Sequence, residues 1–85
     1  MAKYKIVIKK SAVKELEGIP KEALRRVVKR IQSLADDPRP AGTKKLSQEE
    51  RYRIRQGDYR IVYSVHDEDL LVRIVKIGHR REVYR

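Results

Sequence analysis

In Arg51-Tyr52-Arg53-Ile54-Arg55 a guanidinium recurs at every second residue, and an apolar or aromatic residue fills each gap. A period of two is that of a β-strand, so one face of this segment is apolar and the other carries only cations. Gly57-Asp58 reads as a two-residue hairpin turn, followed by a second alternating run, Tyr59-Arg60-Ile61-Val62-Tyr63. If residue 56 pairs with 59, Ile54 faces Ile61, Tyr52 faces Tyr63, and Arg55 stands opposite Arg60. Like charges directly opposed on a sheet cost from a few tenths to about 1 kcal/mol. An arriving phosphate turns that repulsion into attraction through bidentate, charge-assisted hydrogen bonds. The competing reading, arginines splayed into water from a solvated strand, suits one arginine better than four. Arg53, Arg55, Arg60 and Arg73 on one face therefore do little for folding and form what a polyanion site needs.

A second group follows the last strand: Gly78-His79-Arg80-Arg81-Glu82-Val83-Tyr84-Arg85. Histidine exchanges protons near neutral pH. A tyrosine such as Tyr84 donates a hydrogen bond or stacks on a base. Taken singly, these are an ordinary surface histidine and a terminal tyrosine packed on a sheet. Their weight comes from following the strand beside the arginine face. The other histidine, His66, lies at a turn with Asp67, Glu68 and Asp69, which reads as a solvated turn and not as a metal site. The chain has no glycine-rich phosphate loop, zinc-ligand spacing or nucleophile motif, so no metal or cofactor is expected.

These residues must be positioned by the rest of the chain. Tyr4, Ile6 and Ile8 alternate with Lys5, Val7 and Lys9, which predicts an opening strand. Ser11 is placed to cap a short helix, Ala12 to Glu17, with Val13 and Leu16 inward. Gly18 suits its end, and Pro20 the first turn of the next helix. There Leu24, Val27, Val28, Ile31, Leu34 and Ala35 recur at helical spacing. The outer face carries Lys21, Arg25, Arg26, Lys29 and Arg30, with Glu22 spaced to pair with Arg26. Asp36-Asp37-Pro38 ends the helix, and the segment to Lys45 reads as a loop. Strands follow near 51–56, 59–66 and 70–76. With a turn at Asp67-Glu68, Leu70, Val72 and Ile74 join the apolar face and Arg73 the opposite one. The expected fold is α+β: a strand, a helical hairpin and a three-stranded antiparallel meander (β-α-α-β-β-β). The helices cover the apolar face, and the arginine face stays open.

The totals bound the function classes. The 85 residues suffice for one small domain spanning 1–85, with a thin core. The formal net charge of +10 points to an anionic partner, and the cations are segregated where simple solvation would mix the signs. The absence of cysteine removes thiolate chemistry and fits a reducing, cytoplasmic location. No apolar stretch approaches the roughly 20 residues of a membrane span, and no signal peptide is apparent.

Three segments together resemble the RelE/ParE superfamily of type II toxins, on its RelE side: Arg-Tyr-Arg-Ile-Arg, Gly-Asp-Tyr-Arg-Ile-Val-Tyr and Gly-His-Arg-Arg-Glu-Val-Tyr. The resemblance covers essentially the whole chain in element order and length. It implies a ribosome-dependent endoribonuclease that cuts messenger RNA in the ribosomal A site. It also implies a cognate RelB-like antitoxin, with operator DNA reached only through that antitoxin. By position it carries functional roles to Arg53, Arg55, Arg60, Arg80 and Tyr84. Arg51, Arg73, Arg81, Lys44 and Lys45 are the expected further RNA contacts. Better-known relatives have lysine at the positions of Arg53 and Arg55. Arginine stays protonated and is a poor general base, so phosphate binding suits these two, and His79 becomes the attractive base. The rival readings are a ParE-like gyrase-inhibiting toxin, a non-catalytic RNA- or DNA-binding module, and a co-repressor acting with its antitoxin.

Overall fold

A computed structural model describes residues 3–46 and 51–79. Its elements are β1 (Lys5–Ile8), α1 (Lys10–Glu17), α2 (Lys21–Ser33), β2 (Lys44–Leu46), β3 (Arg51–Gln56), β4 (Tyr59–His66), a 3-10 turn (Asp67–Asp69) and β5 (Leu71–His79). The five strands form one sheet in the order β1-β5-β4-β3-β2. β1 runs parallel to β5, and the other neighbours are antiparallel. The helices lie on one face of it, with α1 against β5 and α2 against β3. The expected α+β fold is thus present, with β2 added where a loop was expected.

The β3–β4 hairpin has the register that its turn requires: Gln56 pairs with Tyr59, Arg55 with Arg60, Ile54 with Ile61 and Tyr52 with Tyr63. Gly57 has φ +60°, while Asp58 stays at negative φ, a combination that fits a type II′ turn. The next connection differs from expectation. It occupies residues 67–70, and His66 pairs with Leu71. The pairing is therefore two residues out from the one expected, and a slip of two leaves every side chain on its own face. Val72 and Ile74 are accordingly buried, and Arg73 emerges on the arginine side. Leu70 is the exception: it is exposed, with φ +50°, closing the turn.

The face is switched further along β5. Tyr63 pairs with Ile74 but Val62 pairs with Lys76, so Val75 is an extra residue, a β-bulge. The bulge inverts the alternation. Ile77 enters the core opposite Ile61, and Lys76 emerges beside the arginines. Since β1 ends at Ile8, its pairing with β5 stops at Ile74. Past that point the Ile77 N–H donates to the Glu15 carboxylate at 2.9 Å. α1 thus satisfies part of the strand edge that β1 leaves bare.

α1 begins at Lys10, with Lys9 at its N-cap, so Ser11 lies inside the first turn and makes no capping bond. The face turned to the sheet is Ala12, Leu16 and Ile19 at i, i+4, i+7, which leaves Val13 exposed in place of the expected inward position. Pro20 is the N-cap of α2, one residue before its first turn, and its carbonyl accepts the Leu24 N–H. Val27, Ile31 and Leu34 reach the core with Ile54, Ile61, Tyr63, Val65, Val72 and Ile74. Glu22 and Arg26 form no ion pair.

The segment after α2 is pinned by aromatic and ionic contacts. Arg39 donates to both oxygens of the Asp67 carboxylate, at 3.3 and 2.7 Å, and through Nε to the Tyr52 hydroxyl at 3.1 Å. Its guanidinium also lies over the Tyr52 ring, which stacks on Tyr63. The Tyr63 hydroxyl donates to the Pro38 carbonyl at 2.7 Å, and Tyr4 donates to Asp67 at 2.6 Å. The Arg39 hydrogen bond and then that of Tyr4 hold the Asp67 carboxyl below its ordinary range. Burial pushes the Tyr63 phenol up.

Deleting Val75 removes the bulge. Because Val75 is the residue without a partner on β4, Ile74, Lys76 and Ile77 then alternate regularly on their present faces, and the deletion should keep a cooperative thermal transition by circular dichroism. Val75→Ala keeps the residue count and should retain a sigmoidal transition. Loss of the cooperative transition in the deletion variant, with Val75→Ala still folded, would refute this account of the bulge.

Candidate nucleic-acid interface

The sheet has one face under the helices and one face of cations. Reading across the second face from β2, Lys44 stands opposite Arg53, then Val62 on β4 and Lys76 on β5. In the adjacent row Arg55 stands opposite Arg60, which stands opposite Gly78. On the other side Arg51 stands opposite Ser64 and then Arg73. Three strands thus contribute cations to one surface, with a fourth, β2, at its rim.

This surface is not uniformly open. Arg55 and Arg73 are exposed and Arg53 is half-buried, but Arg60 is 8% exposed, and its neighbours along β4, Val62 and Ser64, are also buried. The expectation of an open face is corrected along its centre. β4 is the middle strand of the sheet, with β3 and β5 on either side. The result is a buried guanidinium on the floor and mobile-length cationic side chains at the rim. Burying a charge is costly, and arginine cannot shed its charge as lysine can. An arginine at this buried position keeps its positive charge where a lysine could lose it.

The residues expected in the site are distributed as follows. Arg51, Arg53, Arg55, Arg60, Arg73 and Lys44 share the cationic face. Lys45 does not: it pairs with Tyr52 and so leaves the sheet on the helix side. His79 also leaves on the helix side, because the bulge inverts the alternation before it. It pairs with Tyr59, and the two rings meet edge to face at 5.8 Å. There it borders a hollow of about 270 Å³ with Glu15, Ile19 and Ile77. The structure therefore does not bring the imidazole to the arginines. Arg80, Arg81 and Tyr84 lie outside the described residues. Lys76 was missed. Its signal was the break in alternation at Ile74-Val75, two apolar residues in succession before a lysine. Among the described residues, no group of three His, Cys, Asp or Glu side chains is arranged to hold a metal ion, and no helix is long and apolar enough to cross a membrane.

The sequence model of the family described as ParE toxin of the type II toxin–antitoxin system matches residues 6–84. The chain belongs to the RelE/ParE superfamily of toxins. A Methanocaldococcus jannaschii protein named toxin RelE1 is 31% identical over 87 residues, covering 98% of this chain and 97% of that one. The toxin of the Pyrococcus horikoshii RelE–RelB complex superposes with a TM-score of 0.81 at 32% identity, over 96% of this chain and 99% of that one. The Mycobacterium tuberculosis RelBE2 toxin–antitoxin complex gives a TM-score of 0.83 at 28% identity, over 96% and 97% of the two chains. The fold expected of a RelE-like toxin is therefore the fold observed.

Like charges directly opposed on a sheet are expected to lower stability. Arg55→Gln should raise the urea midpoint at low ionic strength by the equivalent of a few tenths to about 1 kcal/mol. The gain should fade in high salt, because exposed charges are screened. A midpoint that falls at low salt would show that Arg55 is held by attraction and not strained by Arg60.

Proposed function

We propose that this RelE/ParE toxin is an endoribonuclease that cleaves messenger RNA in the ribosomal A site and is restrained by a RelB-like antitoxin. The observation that carries the reading is the β3–β4 register, which sets Arg55 against a buried Arg60 among the cations of a RelE-like fold. RNA supplies its own nucleophile. The 2′-hydroxyl attacks the adjacent phosphorus, the bond to the 5′-oxygen breaks, and the products are a 2′,3′-cyclic phosphate and a 5′-hydroxyl. The protein must align the attack, neutralise the added charge of the phosphorane, and handle two protons. The reaction needs no metal in principle.

In this scheme Arg53, Arg55 and Arg60 hold the scissile phosphate, with Arg60 giving the strongest charge stabilisation because it is the least hydrated. Arg51, Arg73 and Lys44 hold flanking phosphates. The roles of Arg80 in the transition state and of Tyr84 in orienting the substrate rest on the resemblance alone, as does an RNA contact by Arg81. The guanidinium groups do not move protons at working pH. Lys76 is the diagonal neighbour of Arg60 on the same face, since Arg60 pairs with Gly78 and Val62 with Lys76. Its ammonium group is therefore the better-placed donor for the leaving 5′-oxygen. For His79 to serve, the strand end would have to turn over at Gly78.

A second reading has one observation in its favour: the matching family model carries the ParE description. A gyrase-inhibiting toxin needs a protein-binding surface and no cleavage site. The antitoxin of either type would cover a toxin of net charge +10, so its binding segment should be acidic and amphipathic.

Single-turnover cleavage on programmed ribosomes tests these assignments. Arg60→Ala should slow cleavage by about 10²- to 10³-fold, the usual cost of losing a preorganised charge donor. Lys76→Met should slow it by about 10²- to 10⁴-fold and alter the pH–rate profile, whereas His79→Gln should leave the profile unchanged. A flattened profile in His79→Gln with an unchanged one in Lys76→Met would transfer the proton role to the histidine. Full activity in a stably folded Arg60→Ala protein would remove the arginine face from the mechanism. Inhibition of gyrase supercoiling without any RNA ends would establish the second reading.

A further inference from the structure

The net charge is not spent on the sheet face alone. Arg26, Lys29 and Arg30 of α2 turn toward the end of β3, where with Ser33 and Gln56 they line a groove of about 270 Å³. A further hollow of about 200 Å³ continues it past Gln56 to the turn at Gly57-Asp58 and to Tyr59, again with Arg26 in its wall. Arg26 has Lys29 at i+3 and Arg30 at i+4, so it neighbours both on the helix surface, where like charges repel. Among the described residues none of them forms an ion pair. The Arg30 Nε is shielded from solvent and has no hydrogen-bond partner. A solvated helix face would explain exposed lysines. It does not explain a guanidinium N–H withdrawn from water and left unsatisfied, a condition that folded proteins rarely tolerate without a ligand or bound water.

The position of the groove indicates the class of ligand. β2 pairs with β3 only as far as Arg53, so among the described residues no strand pairs with the outer edge of residues 54–56. Gln56 projects to the groove side of that edge, and its chain neighbour Arg55 projects to the arginine face. The two cationic surfaces are thus the two sides of one strand end, which no described strand extends. A phosphodiester chain carries a charge at every nucleotide and bends over such an edge. A helical acidic segment presents its charges along one rigid face and cannot follow both sides. The Gln56 amide and Tyr59 phenol supply hydrogen bonds, and Asp58 is the one acid in the wall.

We propose that the α2–β3 groove is a second phosphodiester-binding site, which anchors RNA flanking the scissile phosphate and sets affinity without entering the chemistry. The inference rests on the RNA-cleaving reading above. The probe is a fluorescein-labelled single-stranded RNA, with binding followed by anisotropy over a series of KCl concentrations. Charge removal in the groove (Arg26→Gln, Lys29→Gln and Arg30→Gln combined) is compared with an equal charge removal on α1 and its N-cap (Lys9→Gln, Lys10→Gln and Lys14→Gln combined). Melting curves confirm that both variants fold. The groove variant should bind at least about tenfold more weakly, and its log–log salt slope should fall by about 2, the value for three lost phosphate contacts on a single strand. At saturating toxin its single-turnover cleavage rate should match the parent. Equal losses in both variants would reduce the effect to net charge and overturn the proposal. So would unchanged RNA binding, including the case in which only antitoxin affinity is lost, which would assign the groove to an acidic protein segment. Weakened RNA binding in the groove variant, combined with full cleavage by Arg55→Gln and Arg60→Gln proteins, would overturn the catalytic reading and leave the groove standing.

Discussion

The pairing of β3 with β4 is the constraint on which the rest depends. One register puts Tyr52 against Tyr63 and Ile54 against Ile61 on the side that the helices cover. The same register necessarily puts Arg55 against Arg60 on the other side. A slip of one residue would exchange the two faces, burying arginines under α2 and exposing the tyrosines and isoleucines. The apolar pairs therefore stabilise an arrangement of cations that would not form by itself. The repulsion between Arg55 and Arg60 is small beside the burial of several large side chains, each worth roughly 1.5–3 kcal/mol.

The bulge at Val75 is the second determinant. It lets one strand serve the core at Val72 and Ile74, change phase, and serve the core again at Ile77. The residues between and beyond are redistributed in consequence. Lys76 joins the cationic face, and His79 is sent to the helix side against Tyr59. One inserted residue thus decides which proton-exchanging group stands near the guanidinium groups.

How much was legible in the sequence follows from the range of the interactions. The hairpin was legible because a two-residue turn leaves no freedom in register and the alternation on both sides agreed with it. The core face of α2 was legible from its spacing. The position of β1 was not, because its parallel partner β5 lies more than sixty residues away and no local signal names it. β2 was read as loop because three residues, Lys44–Leu46, are too few to show a period. The bulge was visible only as Ile74-Val75 breaking the alternation. Missing it misplaced His79 and concealed Lys76. The arginine face itself was identified, but the burial of Arg60 depends on the neighbours of β4, which pairing alone does not reveal. The α2 cations were noted as an outer face with Glu22 paired to Arg26. Among the described residues they form no ion pair, and Arg26, Lys29 and Arg30 turn toward the strand edge.

The central claim is that the cationic face, floored by Arg60, receives the scissile phosphate. The most direct measurement is the structure of the toxin on a ribosome whose A-site mRNA carries a 2′-deoxy substitution at the cleavage position, so that the substrate binds and cannot react. The account predicts the scissile phosphate within hydrogen-bonding distance of the Arg60 guanidinium, with Arg55 as its second ligand. A phosphate seated on the helix side of the sheet, or an mRNA that leaves Arg60 uncontacted, would contradict it.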